Sequence, residues 1–215
     1  MPTDYDIALL LQAQYDGKPV FDMARNTNGV DWAIKGFGDC SAIFLEGTHS
    51  LPDAARDFNF PMRTVAGIGG VHAGFYDGLP ETLMAAIPYL PKDKLIKVCG
   101  HSLGAGEAHI LTAMLAKAGY RALETIAFGS PLPGDIGLAA TLAPFENRSY
   151  WNYCDFFNHD IVGSVPLYLP AEPFIAPRQR ILIHEAPAIL DPWGMVAWHH
   201  LNPLYCEGVR KLCGQ

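Results

Sequence analysis

Val98-Cys99-Gly100-His101-Ser102-Leu103-Gly104-Ala105 decides the reading of this chain, because Ser102 stands between glycines two residues before and two residues after it. A chain that passes from strand straight into helix crowds its own backbone at the apex, and only residues without a Cβ fit beside it. The apex side chain is then pushed into the open at a helix N-terminus. There, unpaired N–H groups and the helix dipole favour a developing negative charge. The flanks supply the context this turn requires. Leu95 to Cys99 is a short apolar run bounded by Lys92-Asp93-Lys94 and Gly100, with the length of a buried strand. Leu103 to Ala118 repeats apolar residues at helical spacing (Leu103, Ile110, Leu111, Met114, Leu115, Ala118), and Gly119 stops it. Ser102 is therefore the candidate nucleophile, and the N–H of Leu103 a candidate oxyanion donor.

Outward from the elbow, Thr125 to Phe128, Tyr150 to Tyr153 and Arg180 to Ile183 read as further short strands. Strand, helix, strand at this spacing implies a parallel βαβ unit with a right-handed crossover. Toward the N-terminus, Ile7 to Tyr15 has helical spacing with Asp4 or Asp6 as N-cap. Val30 to Lys35 and Ser41 to Leu45, split by Gly36-Phe37-Gly38-Asp39, read as a hairpin. Leu79 to Leu90 reads as a helix that Pro88 shortens. The expected class is α/β: a central, mostly parallel sheet flanked by helices, with antiparallel strands added at the start and the end. The absence of repeats, low-complexity tracts and charge blocks favours one domain over residues 1–215.

Composition narrows the function classes. Fifteen Lys and Arg against 22 Asp and Glu leave a net charge of −7, which disfavours nucleic acid as a partner. Half the residues are apolar and 17% are charged, against about 25% charged in an average domain, so disorder and coiled coil are disfavoured. No apolar run approaches the ~18 residues of a membrane span. The start, Met1-Pro2-Thr3-Asp4-Tyr5-Asp6, lacks the cationic region of a signal peptide, which favours a cytoplasmic location. Cys40, Cys99, Cys154, Cys206 and Cys213 are widely spaced without CxxC, and read as buried free thiols. Neither a metal-ligand cluster nor a phosphate-cradling loop occurs, so no cofactor is implied.

A nucleophilic serine needs a base to take its proton and an acid to orient the base, in the chain order Ser, acid, His on such a fold. Downstream of Ser102 the acids near a strand end are Asp155 and Asp160, and the histidines are His184, His199 and His200. His184 ends the apolar run Ile181 to Ile183 and reads as strand packing. Spacing alone does not choose among the others.

The ordered motifs resemble the class 3 lipase family, a fungal-lipase-like branch of the α/β-hydrolases. Gly100 to Ala105 is similar to its GHSLGG elbow, Phe44-Leu45-Glu46-Gly47-Thr48 to its F-R-G-T/S segment, and Val71 to Tyr76 to its V-H-x-G-F segment. Ala127-Phe128-Gly129-Ser130-Pro131 resembles its T-F-G-x-P, and Asp160-Ile161-Val162 with Pro166 its D-x-V-P loop. The resemblance implies a triad of Ser102, Asp160 and His200, with His199 as the alternative base. His200 is favoured because Tyr205 then falls at the family's offset. Thr48 would supply the second oxyanion donor beside Leu103, and Glu46 departs from the family's Arg. His49 to Phe58 occupies the place of the family's lid without an evident amphipathic face.

The implied activity is hydrolysis of acyl esters, such as acylglycerols, with transient contact with lipid surfaces. Alternatives on the same machinery are a phospholipase A1, a feruloyl-type esterase or an acyltransferase. A non-catalytic domain that binds an apolar ligand is the reading from another class.

Overall fold

Strands covered on both faces need continuous apolar sequence, and Cys40–Leu45, Leu95–His101 and Leu123–Phe128 meet that need with nearly every residue buried. The computed structural model describes residues 1–47, 61–153, 160–164, 174–177, 180–185 and 201–214. The chain runs through α1 (Asp4–Tyr15), β1 (Met23–Thr27), β2 (Val30–Phe37), β3 (Cys40–Leu45), β4 (Met62–Val65), β5 (Gly69–His72), α2 (Ala73–Tyr76) and α3 (Leu79–Ala86). It continues with β6 (Leu95–His101), α4 (Leu103–Lys117), β7 (Leu123–Phe128), α5 (Ile136–Leu142), β8 (Glu146–Asn152), β9 (Ile181–Ile183) and α6 (Cys206–Leu212). A 3-10 turn at Ile161–Ser164 follows β8 by sequence, and a π-helical stretch at Leu201–Tyr205 leads into α6.

The main sheet has the order β1-β2-β3-β6-β7-β8-β9, and β4 and β5 form a separate antiparallel pair. From β3 to β9 every pairing is parallel, whereas β1 and β2 add antiparallel strands at one edge. Leu45, Gly100 and Ala127 lie side by side across β3, β6 and β7, so the strand ends that carry the motifs converge at one end of the sheet. One core packs α3, α4 and α5 on one face of the sheet. The other packs α1 and α6 on the opposite face.

Several expectations shift. The N-cap of α1 is Thr3 rather than Asp4 or Asp6. Its hydroxyl accepts from the Asp6 N–H while the Asp6 carboxylate accepts from the Thr3 N–H at 2.8 Å, a reciprocal capping box. The last described strand, β9, is parallel to β8, not an antiparallel addition. The chain leaves β8 for a long excursion before returning, which permits a crossover rather than a hairpin. The hairpin β4–β5 was not anticipated, because its Thr-Val-Ala-Gly-Ile-Gly-Gly sequence carries little alternation. Pro88 does end α3 early, leaving a 3-10 turn at Ile87–Tyr89. Cys40, Cys99 and Cys206 are buried free thiols, but Cys213 is exposed at the end of the last helix, and Cys154 lies outside the described residues. Among the described residues no helix is long and apolar enough to cross a membrane.

Buried charge on the α1 face was also unforeseen. Lys97 on β6 bonds Glu124 on β7 at 2.5 Å, Arg148 on β8 pairs with Glu124, and Arg148 reaches Asp4 of α1 through two bonds at 2.5 and 2.8 Å. Tyr150 donates its hydroxyl to the same Asp4 at 2.5 Å. The network ties three adjacent strands and the first helix together.

Candidate active site

The elbow forms for the reason its glycines require. A Cβ on Gly100 would lie 2.1 Å from the Gly104 carbonyl oxygen, and one on Gly104 would lie 2.2 Å from the Leu45 carbonyl oxygen. Only hydrogen fits at either position. Ser102, between β6 and α4, takes φ 59° and ψ −127°. That backbone region is sparsely populated by residues with side chains and costs them about 1–3 kcal/mol. The Ser102 N–H donates to the Phe128 carbonyl at 3.0 Å, which pins the strained turn to the end of β7. Among the described residues its Oγ has no hydrogen-bond partner, although it is buried. Leu103 is the first residue of α4, so its N–H has no intrahelical acceptor and stands at the positive end of the helix dipole.

Asp160 follows β8 and is fully buried. Its N–H donates to the Asn152 carbonyl at 2.8 Å and its own carbonyl accepts from the Trp151 indole at 2.8 Å, so the backbone is held from both sides. The carboxylate accepts from the Val162 N–H at 2.9 Å and from the Tyr205 hydroxyl at 2.5 Å. A carboxylate can accept about four hydrogen bonds, so one carboxylate can be held by such donors and also orient a base. Tyr205 in turn accepts from the Asn152 N–H at 3.2 Å. Burial raises its phenol well above the ordinary value, and the adjacent Asp160 adds to this, so the hydroxyl keeps its proton as a donor. The Tyr205 ring meets His101 edge-on at 5.9 Å, which places the acid's support against the residue preceding the nucleophile.

The structure thus brings Ser102, Leu103 and Asp160 to one end of the sheet. Thr48, Asp155, His199 and His200, together with the lid-position stretch His49 to Phe58, lie outside the described residues. His184 does not serve as strand packing: it stands one residue beyond β9 and is exposed, because the chain has already left the sheet there. His72 is a buried helix cap, accepting from the Phe75 N–H at 3.4 Å and stacked on its ring at 3.9 Å. His109, also wholly buried, contacts Asn147 at 3.1 Å, and burial holds its imidazole down to about 3, with Arg180 adding to the effect.

Sequence reasoning missed three supporting groups: Tyr15, Asn152 and Arg180. Arg180 lies over the Trp151 ring at 4.8 Å and donates to the Ser130 carbonyl at 3.3 Å. Burial lowers its guanidinium from the usual value. Only the tertiary contacts distinguish these from ordinary core or strand residues. Among the described residues no three His, Cys, Asp or Glu side chains converge as a bound metal would need.

Fold and elbow together define an α/β-hydrolase. The sequence model of the class 3 lipases matches residues 42–169, more than half of the chain, and the chain belongs to that family of carboxylic ester hydrolases. Its structure is similar to the triacylglyceride lipase of Rhizomucor miehei, at 20% identity over 77% of this chain and 66% of that one, with a TM-score of 0.62. It thus spans just under two thirds of the Rhizomucor chain. The lipase of Rhizopus microsporus var. chinensis matches at 20% identity over 86% of this chain and 74% of that one, with a TM-score of 0.66. The mono- and diacylglycerol lipase of Aspergillus oryzae matches at 18% identity over 81% and 67%, with a TM-score of 0.60. At these identities the likeness is one of fold. No curated protein matches the sequence.

Proposed function

We propose that the chain is a single-domain serine ester hydrolase that cleaves acylglycerols or similar lipid esters through an acyl-enzyme. One observation carries the reading: Ser102 sits strained at a helix N-terminus, its Oγ without a hydrogen-bond partner among the described residues, at the same end of the sheet as a buried Asp160 held by Val162 and Tyr205. Ser102 Oγ attacks the ester carbonyl as its proton passes to His200. The oxyanion accepts from the N–H groups of Leu103 and Thr48. Collapse breaks the bond to the leaving alcohol, which takes the proton from His200. Water, deprotonated by the same His200, then attacks the acyl carbonyl; the bond to Oγ breaks, His200 returns the proton to Oγ, and the acid is released with Ser102 regenerated. Asp160 holds the tautomer of the imidazole throughout. The acylglycerol substrate class is carried over from the neighbours named triacylglyceride and mono- and diacylglycerol lipases, and it implies transient contact with lipid surfaces.

Replacing Ser102 with Ala is expected to remove turnover of a p-nitrophenyl ester, and labelling by a fluorophosphonate, while the melting curve stays cooperative. Retained turnover would overturn the assignment. His200→Ala is expected to be inactive and His199→Ala active; the reverse would transfer the base to His199. A chain-length series of glycerol esters, with a phospholipid and a feruloyl ester beside it, identifies the preferred substrate.

A further inference from the structure

We infer that Tyr15 is a positioning residue for the acyl-transfer step, its hydroxyl tying the Gly47 turn to His101 beside the nucleophile; this rests on the hydrolase reading above. Tyr15 ends α1, remote in sequence from every motif of the site. Its hydroxyl oxygen accepts the Gly47 N–H at 2.8 Å and the hydroxyl pairs with His101 Nδ1 at 3.0 Å. An amide N–H can only donate, so the Tyr15 oxygen is the acceptor of the Gly47 bond. The same hydroxyl pairs with Nδ1, so one oxygen bridges the Gly47 backbone and the imidazole. Burial holds the phenol protonated by raising its pKa, and Glu46 and Glu107 add to the effect.

The contacts on either side explain why this bridge bears on the reaction. A Cβ on Gly47 would lie 2.6 Å from the His101 carbonyl oxygen, 2.7 Å from the Tyr15 hydroxyl and 2.8 Å from Ser102 Cβ. The Gly47 backbone is thus seated directly against the nucleophile's own side chain, and Tyr15 is the group that clamps it there. Tyr15 also meets the His101 ring edge-on at 5.7 Å. His101 meets Tyr205 at 5.9 Å, and Tyr205 bonds Asp160. One continuous set of polar and aromatic contacts therefore runs from the Gly47 turn, past the elbow, to the acid. Groups held in this way act on charge that exists only in the transition state, so losing the clamp lowers kcat and leaves KM nearly unchanged.

The test is Tyr15→Phe assayed on a p-nitrophenyl ester. We expect kcat to fall about 10- to 100-fold, the range a displaced positioning group costs, with KM within about twofold and the acid limb of the pH profile unmoved. His101→Leu should lose a similar amount. His101→Asn, which keeps a hydrogen-bonding group at the δ position for the Tyr15 hydroxyl, should recover most of what His101→Leu loses, a rescue that a purely structural role would not produce. The inference is overturned if Tyr15→Phe keeps its kcat, if KM rises while kcat holds, or if the loss merely follows the fraction unfolded at the assay temperature. Should Tyr15→Phe fail to fold, equal activities in His101→Leu and His101→Asn overturn it instead. A wild-type protein that neither turns over the ester nor takes a fluorophosphonate is a separate result, and it refutes the hydrolase reading rather than the role of Tyr15.

Discussion

Ser102 keeps a positive φ that a glycine would adopt without strain, and the surrounding backbone holds it there through Phe128 and the two flanking glycines. That arrangement was legible in eight residues, because the elbow's demand for missing Cβ atoms is a local one. The support of the acid was not. Tyr205 and Asp160 are 45 positions apart, and a phenol in an apolar run reads as core until the fold shows what its hydroxyl touches. The Tyr205 hydroxyl bonds a buried carboxylate, and such bonds contribute about 1.5–3 kcal/mol. Tyr205→Phe is therefore expected to lower kcat about 10- to 100-fold, with the buried Asp160 reoriented and KM little changed. Steady-state kinetics on a soluble ester checks this, and an unchanged kcat would show that Val162 and the remaining contacts of the loop suffice.

At the scale of elements, α1 shows how a helix can be recognised correctly and its purpose missed. Helical spacing located it, and the tool for starting it proved to be Thr3 with Asp6. Its role is to present opposite ends to different parts of the sheet: Asp4 to Arg148 and Tyr150 on β8, and Tyr15 to the elbow. Asp4 and Arg148 are largely buried, so removing one partner leaves the other's charge and the Tyr150 hydroxyl undersatisfied. Asp4→Ala is expected to destabilise the protein by on the order of 3 kcal/mol, softened by the remaining pairing of Arg148 with Glu124. Denaturant unfolding followed by circular dichroism measures it, and a loss below about 1 kcal/mol would place the pair with weak surface bridges. The short strand β9 gives the complementary lesson. Its apolar run was legible, but the direction in which it pairs depends on how the intervening chain returns.

On the scale of the whole molecule, two buried titratable groups on α4 set opposing pH dependences. Burial raises Glu107 well above the usual carboxylate value, with Asp31 adding to it, so the folded state keeps this proton where the unfolded chain releases it. The stability associated with neutral Glu107 is then complete below the unfolded value of about 4.3 and is lost as pH rises toward the folded one. His109, held down to about 3, does the reverse: its stability is complete above about 6.5 and is lost as pH falls. Glu107→Gln removes the first effect and keeps the second, so comparing it with the wild type cancels His109. The variant's melting temperature relative to wild type should be higher at pH 8 than at pH 4 by at least about 2–4 °C, the equivalent of roughly 1 kcal/mol in a chain of this size. A difference independent of pH would mean that Glu107 ionises alike in the folded and unfolded chains.

What the sequence determined by itself was local or ordered along the chain: the parallel α/β plan, the glycine-flanked nucleophile, and the candidate acid placed after a strand. Each rests on constraints written in neighbouring residues, namely side-chain periodicity, missing Cβ atoms and the order of motifs. Only the tertiary structure decided which distant groups hold those residues in place. Tyr15 reaches His101 across 86 positions and Tyr205 reaches Asp160 across 45, while Lys97, Glu124, Arg148 and Asp4 neutralise one another inside the fold. A buried polar group must find its partner wherever packing brings one, and no spacing rule in the chain records where that is.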